Sequence, residues 1–212
     1  MQIISSTTIQ GWERFYRANF INSLTGFKSA SLIGTVNNKG QTNLGIFSSI
    51  VHIGSDPALV GYINRPIKAA PHTLANIQST RVYTINHIHP SILEQAHQTS
   101  AKYPAEVSEF DEVGLTPEFS ENMAAPFVKE SKVKYGLILE EVIPIHLNDT
   151  FLVIGKIQEV KLDPFIVSSD GFLELDKVSS LCSNGIDGYY STQHIDRYEY
   201  AKPGTNVKSL ER

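Results

Sequence analysis

Cysteine is nearly absent from this chain: Cys182 is the single copy among 212 residues. An intrachain disulfide is therefore excluded, and a reducing compartment fits. No apolar run approaches the ~18 residues that a membrane-spanning helix requires. The N-terminal stretch MQIISSTTIQGWERFYRANF has no basic start followed by an apolar core, so no secretory signal is expected. A strong charge of one sign is missing too. Lys and Arg total 18, Asp and Glu total 22, and the formal net charge is −4. That balance argues against a protein whose main task is coating nucleic acid or an anionic membrane. Repeats, low-complexity tracts and Gly/Ser linkers do not occur. What is present is 41% hydrophobic and 19% charged, the composition of a folded chain long enough to bury a continuous core. A single cytoplasmic domain is the expectation.

Familiar catalytic motifs are also lacking. No GxGxxG follows a strand, there is no P-loop, and no GxSxG marks a nucleophile elbow. Nothing near Cys182 in sequence activates its thiol, so an inert thiol is expected. Histidine is the remaining suspect, with seven copies. His87 and His89 lie two apart in an expected strand and project from one face. Glu94 and His97 lie three apart on an expected helix. Together they offer ligands for Zn or Fe. A polar strand end followed by a solvated helix is the simpler account, and no metal site is assigned.

Hydrophobic periodicity organises the chain. Ile9, Trp12, Phe15, Tyr16 and Phe20 predict an amphipathic helix over about 8–24, ended by Gly26. Ala30 to Val36 reads as a strand. Asn37-Asn38-Lys39-Gly40 reads as a hairpin turn, because Asn and Gly tolerate the left-handed backbone. Thr42 to Ile53 reads as one long strand, Asp56-Pro57 as a turn, and Ala58 to Ile63 as a third strand. Pro71 opens a helix over His72 to Ser79. Arg81 to His89, Val133 to Val142 and Thr150 to Leu162 are further strands. Residues 91–101 and 106–112 read as helical, and Glu174 to Val178 as a helical turn. Ser180 to Ser191 is weakly patterned. Short turns between strands and few long helices favour an antiparallel, closed or partly closed β-barrel with peripheral helices.

Two stretches depart from ordinary core. Thr42-Asn43-Leu44-Gly45-Ile46-Phe47-Ser48-Ser49-Ile50 puts an amide, a glycine and two hydroxyls inside an apolar strand. Strand glycine often marks close backbone approach, and buried polar groups need partners. A barrel bend with satisfied hydroxyls is the alternative. In the second stretch, Arg65 and Lys68 precede the helix that carries His72, Thr73 and Asn76. Cations beside a helix N-terminus suit an anion, and arginine adds a planar fork for phosphate. A solvated charged loop with a capped helix is the alternative.

Taken together, these stretches resemble the flavin reductase-like, FMN-binding split-barrel family. The likeness runs through Asn43-x-Gly45-x-Phe47-Ser48-Ser49, Asp56-Pro57-Ala58-Leu59-Val60 and Arg65…His72-Thr73-x-x-Asn76-Ile77. It continues in Glu109-Phe110…Gly114-Leu115-Thr116, Ala125-Pro126-Phe127-Val128-Lys129-Glu130-Ser131 and Asp149-Thr150-Phe151-Leu152-Val153-Ile154-Gly155-Lys156-Ile157. It covers roughly residues 25–190 of a single domain spanning 1–212, with an N-terminal helical segment over 1–25 and a tail over 192–212.

The resemblance implies a homodimeric split β-barrel that holds FMN non-covalently, takes hydride from NAD(P)H, and in many members passes reduced flavin to an oxygenase. By that likeness Asn43, Leu44 and Gly45 run along the flavin ring and present backbone and amide groups to its polar edge. Ser48 and Ser49 reach the ribityl chain or phosphate. Arg65, Lys68 and Thr73 hold the phosphate, with His72 beside them, and Asn76 caps or braces the helix. Arg197, Tyr198, Tyr200 and Lys202 in the tail are candidates to cover the flavin or the opposite subunit, or simply to pack.

One departure stands out. Many active members carry Gly-Asp-His before the penultimate strand, with that His near the nicotinamide. Here the segment is Asn148-Asp149-Thr150, and His146 lies four positions earlier. No catalytic residue is assigned, and a non-enzymatic FMN-binding or redox-sensing protein is the alternative function.

Overall fold

The computed structural model describes residues 1–69 and 71–211. Helices α1 (Ser6–Gly11) and α2 (Arg14–Leu24) open the chain, so the single helix expected over 8–24 is two. Glu13 makes the break. Its carboxylate accepts the backbone N–H groups of Phe15 at 2.7 Å and Tyr16 at 3.1 Å and so starts a new helix. Neither helix has a buried residue. Trp12 instead packs edge-on against Tyr16 and Phe20.

Five strands follow: β1 (Lys28–Ser29), β2 (Ser31–Val36), β3 (Thr42–Phe47), β4 (Ile50–Ser55) and β5 (Ala58–Asn64). Then come α3 (Pro71–Thr80), β6 (Val82–His87), α4 (Leu93–Gln98) and α5 (Glu109–Val113). The chain continues through β7 (Pro117–Ser120), β8 (Met123–Val128), β9 (Val133–Ile145), β10 (Thr150–Leu162), β11 (Leu181–Asn184) and β12 (Gly188–Ser191). Turn chemistry behaves as expected at Asn37, whose Oδ1 accepts the N–H groups of Lys39 and Gln41 while Gly40 takes a positive φ of 82°.

Seven strands form one antiparallel sheet in the order β3-β2-β6-β9-β10-β5-β4. The stretch expected as one strand over Thr42–Ile53 therefore divides at Ser48-Ser49. Its two halves, β3 and β4, sit at opposite edges of the sheet. Two residues cannot span a flat seven-stranded sheet at about 4.8 Å per strand. The sheet must roll until its edges nearly meet, which is a split barrel.

The rolled sheet has two apolar sides. Ile33, Tyr62, Leu74, Ile77, Tyr83, Ile85, Leu137, Leu139 and Val153 fill one side, with α3 closing it. Leu32, Leu44, Ile88, Phe110, Leu115, Val128 and Leu181 fill the other, under α4 and α5. Strand β2 serves both, so all six of its residues are buried, and its run reads as continuously apolar rather than alternating. Each fully buried aliphatic or aromatic side chain contributes about 1.5–3 kcal/mol. Strand β8 crosses β2 and is strapped to β6: Thr84 Oγ1 donates to Pro126 O at 2.6 Å, and Asn86 Oδ1 accepts Val128 N–H at 2.8 Å.

The hairpins β7–β8 and β11–β12 were not readable as strands. Most are four residues long, too short for alternation to register, and β8 contains Pro126, which argues locally against a strand. The tail is irregular and packs on the 168–174 loop. There Arg197 pairs with Asp170, and its guanidinium lies 4.0 Å from the Phe172 ring centroid. Among the described residues, no helix is long and apolar enough to cross a membrane.

Candidate functional site

The divided strand shapes a cavity of about 1040 Å³, at the upper end of the ~300–1,000 Å³ usual for ligand pockets. All nine residues singled out in the two unusual stretches line it: Asn43, Leu44, Gly45, Ser48, Ser49, Arg65, Lys68, His72 and Thr73. Arg197, Tyr198, Tyr200 and Lys202 do not.

Strand β3 forms one wall. It is an edge strand, so one row of its backbone groups is unpaired by the sheet. Leu44 N–H points along that open edge and donates to Glu109 Oε2 at 2.9 Å. Alternation then turns the N–H groups of Asn43 and Gly45 toward β2, and leaves Leu44 C=O and Ile46 N–H on the open edge. Of the three, Leu44 alone has its backbone groups on the open edge. Asn43 and Gly45 present instead an amide and a bare backbone. Asn43 Nδ2 donates to Thr73 Oγ1 at 3.3 Å, tying the strand to the start of α3. A Cβ on Gly45 would sit 3.2 Å from the Phe47 ring and 3.6 Å from Thr73 Oγ1. The Phe47 ring and the Thr73 hydroxyl therefore already face the glycine.

Beside this wall the cavity is cationic. The loop after β5 carries Arg65 and Lys68, and α3 begins at Pro71 with its first-turn N–H groups unbonded within the helix. Asn76 Nδ2 donates to Thr35 Oγ1 at 3.1 Å, so Asn76 braces the helix against β2. Lys28 and Lys102 also line the cavity, giving four cations with Arg65 and Lys68 against the two carboxylates of Glu109 and Asp187. Among the described residues none of these cations forms an ion pair. A chain of net charge −4 thus has a locally positive cavity.

The suspected histidine cluster does not assemble. His87 faces Ser180 Oγ at 3.2 Å, His89 Nε2 meets Glu130 O at 2.9 Å, and His97 Nδ1 meets Tyr189 OH at 2.8 Å. Burial pushes the His87 pKa down to about 4. Among the described residues no group of three His, Cys, Asp or Glu side chains is placed to hold a metal ion. Cys182 lies on β11, its thiol directed at Tyr190 O at 3.6 Å. Thr150 starts β10 outside the cavity lining, and its hydroxyl donates to Asn148 Oδ1 at 2.7 Å.

Two features of the site escaped the sequence reading. Glu109 was noticed only as part of a motif, yet it stands buried in the cavity wall with 7% exposure. The β11–β12 hairpin adds Ser183, Asp187 and Tyr189, and no local pattern marked it.

A model of the flavin reductase like domain matches residues 25–168. The chain belongs to the flavin reductase-like family. Family membership carries flavin binding and a flavin-related oxidoreductase role. A flavin reductase-like protein with a split barrel domain from Shewanella frigidimarina NCIMB 400 is 47% identical, with a TM-score of 0.91 over 95% of this chain and 100% of that one. Two other solved structures share the fold. Nitrilotriacetate monooxygenase component B from Bacillus cereus is 17% identical, with a TM-score of 0.82 over 93% of this chain and 98% of that one. Flavoredoxin of Desulfovibrio vulgaris (Miyazaki F) is 23% identical, with a TM-score of 0.70 over 85% and 92%. In this flavin reductase-like protein the cavity-lining β11–β12 hairpin lies beyond the matched segment.

Proposed function

We propose that the chain binds FMN non-covalently in this cavity and transfers hydride to it from NADH or NADPH, supplying reduced flavin. One observation carries the reading. The open edge of β3 and the unpaired cations before α3 share a single cavity, with volume for a flavin ring and positive charge for its phosphate. FMN, when bound, would supply the ring chemistry that accepts a hydride from the nicotinamide.

The chain's own part is to bind and align. Arg65, Lys68, Thr73 and the α3 N-terminus hold the phosphate, with His72 beside them. Ser48 and Ser49 hydrogen-bond the ribityl chain or phosphate. Asn43 and Gly45, with Leu44 C=O, border the ring. Holding two rings in register removes much of the entropic barrier to transfer between them.

We further propose a cytoplasmic homodimer. Gly61 lies between Val51, Ile53 and Leu152 on one face of β4, β5 and β10, and Val51, Ile53 and Ile143 are exposed. Such an apolar sheet face suits a second copy. A separate flavin-dependent oxygenase is the proposed consumer, supported by a fold neighbour that is by name one component of a monooxygenase.

The test is an absorbance spectrum after incubation with FMN and desalting, followed anaerobically by NADH and then NADPH. A retained band that bleaches with either nicotinamide is the expected result. A retained band that bleaches only with dithionite would instead support the second reading, a non-enzymatic FMN binder or redox sensor. That reading is favoured by Thr150, whose hydroxyl is engaged with Asn148 at the position where, by the resemblance, many active members carry a His. Thr150→His is accordingly expected to raise kcat/KM for the nicotinamide about tenfold, worth ~1.4 kcal/mol, with FMN retention unchanged. Stopped-flow reduction rates check it.

A further inference from the structure

We infer that Glu109 is the proton-exchanging group of the cavity, taking up a proton as a phosphorylated flavin enters. The inference rests on the FMN reading above. The Glu109 side chain sits in the cavity wall with 7% exposure. Oε2 holds Leu44 N–H at 2.9 Å, which fixes the carboxyl against the open edge of β3. Ser108 Oγ and Thr42 Oγ1, 2.7 Å apart, pin the adjoining residues of the same two segments. The group cannot swing away when a ligand arrives.

Its charge state is balanced by its surroundings. Burial raises its pKa, while the Leu44 N–H and the charge of His72 act the other way. The other charged or titratable groups around the cavity are Arg65 and Lys68 before α3, Lys28 on β1, His97 on α4, Lys102 after it, Asp187 between β11 and β12, and the phenols of Tyr103 and Tyr189. Among the charged groups, His72 is the one that favours an ionised Glu109. A phosphate beside His72 offsets that charge and repels the carboxylate, and the ring excludes water from the wall. Both changes disfavour a carboxylate. The incoming proton comes from solvent and settles on Oε1, and the Oε2 bond to Leu44 is kept.

The experiment is calorimetric titration of the protein with FMN at pH 6, in two buffers of different ionisation enthalpy. Because the phosphate itself titrates at about pH 6, uptake is read as a difference, and wild type is expected to take up roughly half a proton more per FMN than Glu109→Gln. Glu109→Gln keeps an acceptor for Leu44 N–H and is expected to bind FMN with only the proton exchange of the phosphate. His72→Asn is expected to retain the uptake. Equal uptake in wild type and Glu109→Gln overturns the inference, as does uptake lost only in His72→Asn. The same buffer dependence in both proteins overturns it alone, whereas no binding of FMN overturns the FMN reading with it.

A ligand-free measurement gives a second check. A folded-state pKa above the ordinary value of 4.5 contributes stability that is full below that value and lost as pH rises through the raised one. Glu109→Gln is expected to lack that loss.

Discussion

Arg65→Ala is expected to weaken FMN by roughly 1.5–3 kcal/mol, the contribution of one charge-assisted hydrogen bond, or about 10- to 150-fold. Riboflavin, which lacks the phosphate, is expected to bind both proteins alike. Arg65 follows β5 at the cavity rim, next to a helix start and without an acidic partner among the described residues. Its guanidinium is exposed, so salt screening trims the effect and the larger loss belongs at low ionic strength. Lys68 shares the work as a point charge without the fork, and Arg65→Lys is expected to recover only part of the affinity. Fluorescence titration with both flavins reads the difference. Equal weakening of FMN and riboflavin would remove Arg65 from the phosphate end.

Gly34→Ala is expected to destabilise the fold by about 3 kcal/mol or more. Gly34 lies mid-strand in β2, paired with Leu44 on β3 and Thr84 on β6. A Cβ there would overlap the carbonyl oxygen of Pro126 and sit 2.7 Å from Thr84 Oγ1. The first obstacle is backbone, and it is held by the Thr84 hydroxyl. Relief requires β8 to lift from the sheet, which also strains the Asn86 bond to Val128. Gly136→Ala is a useful contrast, because its Cβ meets only the flexible end of Met123. Thermal melting compares them. For a chain of this size each kcal/mol moves Tm by about 2–4 °C, so the Gly34 variant should fall by roughly 6–12 °C and the Gly136 variant by less.

Local chemistry determined much of this protein by itself. Pro71 set the start of α3 and Asn37 the hairpin turn, because both act through backbone restrictions within a few residues. The strands β2, β5, β6, β9 and β10 were legible from their apolar, β-branched runs. The departures inside those runs, Gly45 among apolar neighbours and Arg65 with Lys68 before a helix, marked the site. They lie together because the rolled sheet sets β3 beside the loop that precedes α3.

Tertiary structure decided the rest. That Ser48-Ser49 ends one strand and begins another at the far edge follows only from the pairing of all seven strands. That Leu44 N–H is spent on Glu109 follows only once residues 65 positions apart meet. The β11–β12 hairpin reaches the cavity from beyond the matched family segment. Contacts of that range leave no local pattern, because each partner alone looks like an ordinary polar or apolar residue. Only the rolled sheet brings them to one wall.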